Sequence, residues 1–220
     1  MNLLLLRQFM MIGILSSKSK MKKHILLIGI ILSISLLTIA AAYYPGGSQA
    51  DAQTVGYDWK NNYLCNLFNE KAINGMANDT GRLWAMFGMF CLCVSLSLFF
   101  IRFANKITAA TPAKMIKYGG VGSMFFGLLV MTPYHDLMTT LSSVSALIAL
   151  VYMTFFIMKS KLHLFKLLSV LCLVVLYVNN YIYYTHHFIE FLPVLQKISF
   201  ILVFLLILSL DYFTAKKDFT

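Results

Sequence analysis

The amino-acid sequence predicts an all-α membrane protein, a bundle of six transmembrane helices with one long outer loop. Of its 220 residues, 60% are hydrophobic and only 12% are charged, whereas soluble domains are about half apolar and about a quarter charged. Six apolar runs are long enough to cross a bilayer, and the basic residues lie mainly between them. Composition, run length and charge placement therefore agree on one class of protein.

A helix needs about 20 apolar residues to span the hydrocarbon core. The predicted spans cover residues 25–44, 83–101, 118–134, 137–158, 167–185 and 191–210. The third is the shortest, and the sixth carries one charge, Lys197, near its start. We therefore treat residues 21–220 as a single six-span membrane domain.

Residues 1–20 form an N-terminal extension with two alternative interpretations. The segment is too short to span a bilayer, and Met21 behind it is a second possible start. It is either translated upstream sequence or a short membrane-surface segment. The following residues 21–44 imitate a secretory signal, but their apolar core exceeds the usual length of about 7–15 residues, so we interpret them as a retained first span.

The placement of lysine and arginine predicts the orientation. Most of the 18 basic residues lie at the two termini and in the connections after the second and fourth predicted spans. Because basic residues favour the cytoplasmic side, we expect a multi-pass protein of the bacterial inner membrane with both termini in the cytoplasm. The net charge of +10 comes without a clustered basic patch, so nucleic acid is not an expected partner.

The cysteines show no pattern that indicates chemistry. Their spacing matches neither a metal site nor a disulfide framework, and all but the first lie inside apolar runs. We interpret them as small apolar residues. They are Cys65, Cys91, Cys93 and Cys172.

Residues 45–81 form the one long connection and are predicted on the outer side. Apolar and polar residues alternate there in a way that predicts a short amphipathic helix from about Trp59 to Phe68. The aromatic content favours anchoring at the membrane interface, and a lid over an outward-facing cavity is the alternative. Asn78 begins an Asn-Asp-Thr triplet, which matches a glycosylation sequon.

The stretch YDWKNNYLCNLF resembles the W-x-x-N-Y-L-S-D-L pattern of uncharacterised six-span bacterial membrane proteins that are classed as a domain of unknown function. A more distant similarity is to membrane proteins of the DRAM, Sfk and Frag types. Pro133 and Asp136 match a Pro and an Asp that this family tends to have at the outer end of its third span. The pair Gln196–Lys197 resembles a polar pair early in its sixth span. Where the family favours Ser-Asp, this chain has Cys65 and Asn66. The resemblance implies a fold and a membrane location, without an activity.

Small residues on the third span predict close helix packing. Gly119, Ser123 and Gly127 recur at a spacing of four, and such ladders let helices approach closely in lipid. The segment SSVSA, residues 142–146, is the expected facing surface on the fourth span.

Polar side chains gather at the predicted outer ends of the spans. His135 and Asp136 follow the third span, His186 and His187 follow the fifth, and Asn180 lies about two turns inside it. A charged or amide side chain at membrane depth favours the bundle interior. The candidate ligand pocket consists of these and loop residues: Asp58, Trp59, Asn61, His135, Asp136, Asn180 and His187.

The leading hypothesis is an integral membrane protein that binds a lipid or polar small molecule at the outer leaflet, with the bilayer as its expected partner and no required cofactor. The alternative is a zinc-dependent membrane lipid hydrolase that resembles the alkaline ceramidase type. Imidazole and carboxylate groups are zinc ligands, and the candidates are His135, Asp136, His186 and His187. Adjacent histidines on a helix point about 100° apart, which argues against a shared site. Histidines placed at the headgroup level are the simpler interpretation.

Overall fold

The computed structural model describes residues 24–219, which fold into six α-helices and three short 3₁₀ helices without a β-strand. Five α-helices are long and apolar enough to cross a membrane, and only α3 falls short among the six. The α-helices are α1 (His24–Ala42), α2 (Asp79–Ala104), α3 (Ala110–Leu129), α4 (His135–Lys159), α5 (His163–Thr185) and α6 (Leu192–Phe213). The 3₁₀ helices are Leu64–Phe68, Ile189–Phe191 and Lys216–Phe219.

The third predicted span differs from α3. The helix begins at Ala110 and ends at Leu129, whereas the prediction ran from 118 to 134. The helix therefore includes Lys114 and Lys117, and its lysines and glycines make it less apolar than its neighbours. A turn that contains Pro133 joins it to α4. The predicted N-terminal extension, residues 1–20, lies outside the described residues.

Successive α-helices run in opposite directions, so the bundle has two ends. The loop end carries residues 43–78 together with the turns at 130–134 and 186–191. The opposite end carries the connections 105–109 and 160–162 and the segment after α6. These two names are used below.

Small residues bring the helices together as predicted. The Ser142 hydroxyl donates to the Ser123 carbonyl over 2.9 Å, and a side chain at Gly119 would meet the Ser145 carbonyl. The predicted contact between the α3 ladder and the SSVSA face of α4 is thus confirmed. On the other side of the bundle, the Ser33 hydroxyl of α1 donates to the Gly88 carbonyl of α2 over 2.7 Å.

Two apolar clusters hold the fold. The larger one lies towards the opposite end and includes Phe99 and Phe103 of α2, Met153 of α4 and Leu210 of α6. The smaller one packs residues 67–72 of the loop against α1 and α2. Because the loop has its own buried apolar side chains, it is a folded cover on the bundle.

The predicted amphipathic helix at 59–68 is wrong in its first half. Only Leu64–Phe68 is helical, as a 3₁₀ helix. The Asp58 carboxylate accepts hydrogen bonds from the backbone amides of Lys60 and Asn61. These bonds form a turn that competes with helix, and Trp59 is left 52% exposed.

Candidate functional site

A cavity of about 740 Å³ lies inside the bundle, within the range of about 300–1,000 Å³ typical of small-molecule sites. Residues of α2, α3, α4, α5 and α6 line it, and the 3₁₀ helix Leu64–Phe68 with its flanks covers it at the loop end. On α4 the lining runs from His135 to Met153. At a rise of 1.5 Å per residue these two positions are about 27 Å apart, close to the thickness of a bilayer core.

Polar side chains line the half of the cavity near the loop end. On α4 they occupy the first third of the helix, on α5 the last third and on α6 the first third, so all belong to the same end of the bundle. They are Ser123, His135, Thr139, Ser142, Ser143, Asn179, Asn180, Tyr183, His186, Gln196 and Ser199, with Tyr63, Cys65, Asn66 and Asn69 from the loop.

Apolar side chains line the half near the opposite end. Leu147, Leu150 and Met153 of α4 continue the same helical face that carries the polar residues. Across from them lie Leu206 of α6 and Phe100 of α2. The cavity is therefore polar at one end and apolar at the other, which matches the shape and chemistry of an amphiphile.

Two side chains at the start of α6 attach the loop to the bundle. The Lys197 ammonium donates to the Asn62 carbonyl over 2.7 Å and to the Pro193 carbonyl over 2.9 Å. The Gln196 side-chain oxygen accepts a hydrogen bond from the Leu64 amide over 2.9 Å. Gln196 and Lys197, the pair that matches the resembled family, thus hold the loop over the cavity.

The loop is organised around the fully buried Asn62. Its side-chain oxygen accepts from the Asp58 amide over 2.8 Å, and its nitrogen donates to the Gly47 carbonyl over 2.9 Å. The side-chain amide of Asn61 donates to the Asp58 carboxylate over 2.7 Å, and this bond lowers the pKa of Asp58. Burial raises the pKa of Tyr57, whose hydroxyl donates to the Asn62 carbonyl. These groups satisfy one another within the loop.

Asn78 has a comparable structural role at the end of the loop. It is 1% exposed, and its side-chain nitrogen donates to the carbonyls of Leu67 and Asn69, each over 3.1 Å. The asparagine of the predicted glycosylation sequon is thus buried and hydrogen-bonded within the protein.

His135 interacts with a neighbouring carboxylate at the polar end of the cavity. Its Nδ1 lies 3.0 Å from the Asp136 carboxylate, which also accepts a hydrogen bond from the Tyr183 hydroxyl over 2.9 Å. The Cys65 side chain also lines the cavity and lies near the imidazole. The loop, α4 and α5 thus meet at this histidine.

Two amides of α5 differ in how well they are satisfied. The side-chain nitrogen of Asn180 donates to the Leu176 carbonyl over 2.8 Å. The side-chain nitrogen of Asn179 donates to the Ser199 hydroxyl, which itself donates to the Leu195 carbonyl. This chain of donors determines which Asn179 side-chain atom is nitrogen and which is oxygen. The oxygen is buried and has no partner among the described residues.

The structure separates the predicted pocket residues into two groups. His135 and Asn180 line the cavity, and Asp136 lies at its rim with an exposed carboxylate. The remaining four do not line it. Asp58, Trp59 and Asn61 lie in the turn of the loop, and His187 is exposed beyond the end of α5.

The predicted zinc ligands do not form a metal site. His186 lines the cavity but is exposed at the left-handed end of α5, and the adjacent His187 does not line it. Within residues 24–219 there is no group of three or more histidine, cysteine or acidic side chains placed to hold a metal ion. The donor set present thus does not fit a zinc centre.

The predicted pocket did not include the lining residues Ser142, Asn179, Gln196 and Cys65. The α4 positions 135, 139, 142, 146, 150 and 153 follow one helical face, so the periodicity of that helix could have revealed it. No comparable signal pointed to Cys65, since its neighbours in the cavity come from α4 and α6.

No protein-family model, curated protein or solved structure matches the chain. The class of protein therefore follows from the fold: residues 24–219 form helices and no β-strand, with five helices compatible with crossing a membrane and an amphipathic cavity between the helices. The resemblance of the YDWKNNYLCNLF stretch to a six-span family stays a prediction.

Proposed function

We propose that this protein is a six-span protein of the bacterial inner membrane that binds a single-chain or small amphiphilic lipid in the cavity between its helices. The acyl chain lies along the apolar half, and the polar group lies among the amide and hydroxyl side chains at the loop end. The observation that supports this most directly is the change from polar to apolar lining along α4 and α6.

The electrostatics of the two bundle ends supports an outward-facing cavity mouth. The connections at the opposite end carry Lys106, Lys159 and Lys161, and basic residues favour the cytoplasmic side. The loop end, with its aromatic side chains Tyr57, Trp59 and Tyr63, then lies at the outer headgroup level. A lipid enters from the outer leaflet in this arrangement, consistent with the predicted topology and with the six-span family that the sequence resembles.

The polar group of the ligand is expected to be uncharged or zwitterionic. The cavity lining contains amides, hydroxyls and histidines but neither lysine nor a carboxylate. Lys197 is close to the mouth, but two backbone carbonyls already accept its hydrogen bonds. Hydroxyl and ester groups are the best match for such donors and acceptors.

The test is a binding measurement on variants that fill the cavity. Ala146 lines the middle of the cavity on α4, so Ala146→Phe places a ring in the path of the chain. Val144, two residues away on α4, is 53% exposed, and Val144→Phe is the matched control. The probe is a fluorescent monoacylglycerol titrated into the full chain in detergent.

We expect Ala146→Phe to weaken binding at least about tenfold, since a factor of ten requires only about 1.4 kcal/mol, and Val144→Phe to bind like the original chain. Equal binding by both variants, or none by the original chain, overturns the proposal.

A further inference from the structure

Cys65 and His135 meet at the polar end of the cavity, although the loop and α4 are far apart in the sequence. Both side chains line the cavity, and the thiol lies near the imidazole. Cys65 is partly exposed, whereas Cys93 and Cys172 are buried within helices. A partly exposed thiol beside an imidazole is the arrangement in which cysteine acts as a nucleophile.

The surroundings of His135 assign a role to each ring nitrogen. Nδ1 lies 3.0 Å from the Asp136 carboxylate, which can only accept, so Nδ1 carries the proton. In the neutral imidazole Nε2 is then the acceptor, and it is the atom available to take the proton of the thiol. The Tyr183 hydroxyl donates to the same carboxylate over 2.9 Å, so the orienting group is itself held in place.

Gln196 supplies a directed donor beside the sulfur. The backbone amide of Leu64 donates to the Gln196 side-chain oxygen over 2.9 Å. This bond identifies the oxygen and the nitrogen of the Gln196 side chain. The side-chain nitrogen therefore points to Cys65, where it lies 3.7 Å from Sγ. A donor at this position can stabilise the oxyanion that forms when a carbonyl carbon bonds to the sulfur.

We propose that Cys65 is the nucleophile of an acyl-transfer site that accepts the ester-linked chain of a lipid. His135 is the general base, Gln196 the oxyanion donor, and Asp136 the residue that positions the histidine. This inference rests on the proposed function, because the acyl chain must occupy the apolar half of the cavity for its carbonyl to reach the mouth.

The reaction has two balanced steps. The Cys65 thiol transfers its proton to Nε2 of His135 while Sγ bonds to the ester carbonyl carbon. The C–O bond then breaks, the leaving alcohol takes the proton from His135, and the acyl group remains as a thioester on Cys65. In the second step His135 accepts a proton from water while the water oxygen bonds to the thioester carbonyl carbon. The C–S bond then breaks, His135 returns the proton to Sγ, and the fatty acid leaves with the thiol restored.

The test is acylation of the full chain by 4-nitrophenyl decanoate. We expect one decanoyl group per chain by intact mass, a rapid burst of one nitrophenolate per chain followed by slower release as the thioester hydrolyses, and removal of the adduct by neutral hydroxylamine as for a thioester. Cys65→Ala should abolish the adduct. His135→Ala should slow its formation by about 100-fold or more, as for loss of a general base. Cys91→Ala, a partly exposed cysteine on α2, is the matched control and should react like the original chain.

The role of Asp136 needs a measurement that a packing defect would not mimic. Asp136→Asn keeps the size of the side chain but favours the other tautomer of His135. We expect a lower acylation rate at saturating ester with an unchanged half-saturating ester concentration. A change in the half-saturating concentration alone contradicts the positioning role.

Binding of the fluorescent monoacylglycerol is measured on the same preparations. Binding without an adduct on Cys65 overturns the acyl-transfer site and leaves the proposed function standing, as does an adduct that forms at the same rate in His135→Ala. Failure of the original chain to bind the probe overturns the proposed function itself. Cys65→Ser keeps a polar group facing His135. We expect it to bind the probe like the original chain while it forms no thioester, and loss of probe binding in this variant contradicts the separate roles.

Discussion

The two ends of α6 are each held by a lysine, but the lysines close different structures. At the loop end, Lys197 donates to the Asn62 carbonyl of the loop and to the Pro193 carbonyl of its own helix. At the opposite end, Lys106 donates to the Leu210 and Thr214 carbonyls, where α6 ends. The first lysine attaches a cover over a cavity, and the second ties α2 to α6 directly.

The contacts around each lysine differ between the two ends of the bundle. At the opposite end, Arg102 of α2 pairs with Asp211 of α6 over 3.3 Å, and Phe103 packs against Phe219. Burial lowers the pKa of Lys106, and the nearby Asp211 and Asp218 act in the opposite direction. At the loop end, α2 and α6 are bridged through the loop, which leaves space between the helices. A direct contact thus closes a bundle, whereas a folded loop covers it and keeps the space below open.

The largest effect is expected from Lys197→Met. The change removes two charge-assisted hydrogen bonds to carbonyls, each of which typically contributes about 1.5–3 kcal/mol. We expect the free energy of unfolding in detergent to fall by about 3 kcal/mol, and binding of the monoacylglycerol probe to weaken because the cover loosens. Unchanged thermal unfolding and unchanged binding would contradict the role assigned to this lysine.

Lys106→Met is the matched change at the opposite end. It removes hydrogen bonds to the C-terminal carbonyls of α6. We expect a smaller loss of about 2 kcal/mol, because burial of the ammonium offsets part of what these bonds contribute. Lipid binding should stay as in the original chain, since Lys106 does not line the cavity. Weaker binding in this variant would show that the two ends are not independent.

Gly120→Ala tests the packing beneath the apolar half of the cavity. A Cβ at Gly120 would lie 2.0 Å from Cγ of Phe100, whose ring lines the cavity. We expect a destabilisation of about 2 kcal/mol by overpacking, measured as a lower unfolding temperature. Gly122→Ala is the control on the same helix, because nothing lies within 4 Å of the added carbon, and it should be neutral or stabilising by up to about 1 kcal/mol. Equal behaviour of the two variants would contradict the contact between α2 and α3.

The smallest effect concerns the pH dependence of the loop. The Asn61 side chain holds the pKa of Asp58 below the usual value of about 3.9. The ionised carboxylate therefore stabilises the folded turn above about pH 4, and this contribution is lost as the pH falls through the lowered pKa. The fluorescence of the neighbouring Trp59 should change in that acidic range. Asp58→Asn should remove the transition, and the same acid transition in both chains would assign it to another group.

The sequence predicted the helices better than their ends. Long apolar runs gave α2, α4, α5 and α6 within a few residues, because the length of a run is a local property. The helix predicted at 59–68 was wrong because the Asp58 side chain bonds to the amides that a helix would need. The start of α3 was missed because lysines occupy its first turns, and charge placement had been interpreted as a boundary.

The site could be predicted only in part. His135 and Asn180 were expected in a pocket because polar groups at membrane depth favour the interior, and both line the cavity. Asp58 and Asn61 were grouped with them by charge and amide content, but these two side chains bond to each other within the loop. The sequence shows which groups are polar, whereas the hydrogen bonds between them depend on the conformation of the turn.

By itself the sequence determined that this is a helical protein with the composition of a membrane protein. It also determined which segments become helices and that small residues bring α3 and α4 into contact. Each of these follows from residues three or four positions apart, or from the length of a run. Only the tertiary structure brought Cys65, His135 and Gln196 together and placed polar and apolar ends on one cavity. The reason is physical: these side chains belong to segments far apart in the chain, and their distances depend on how the loop and the helices pack.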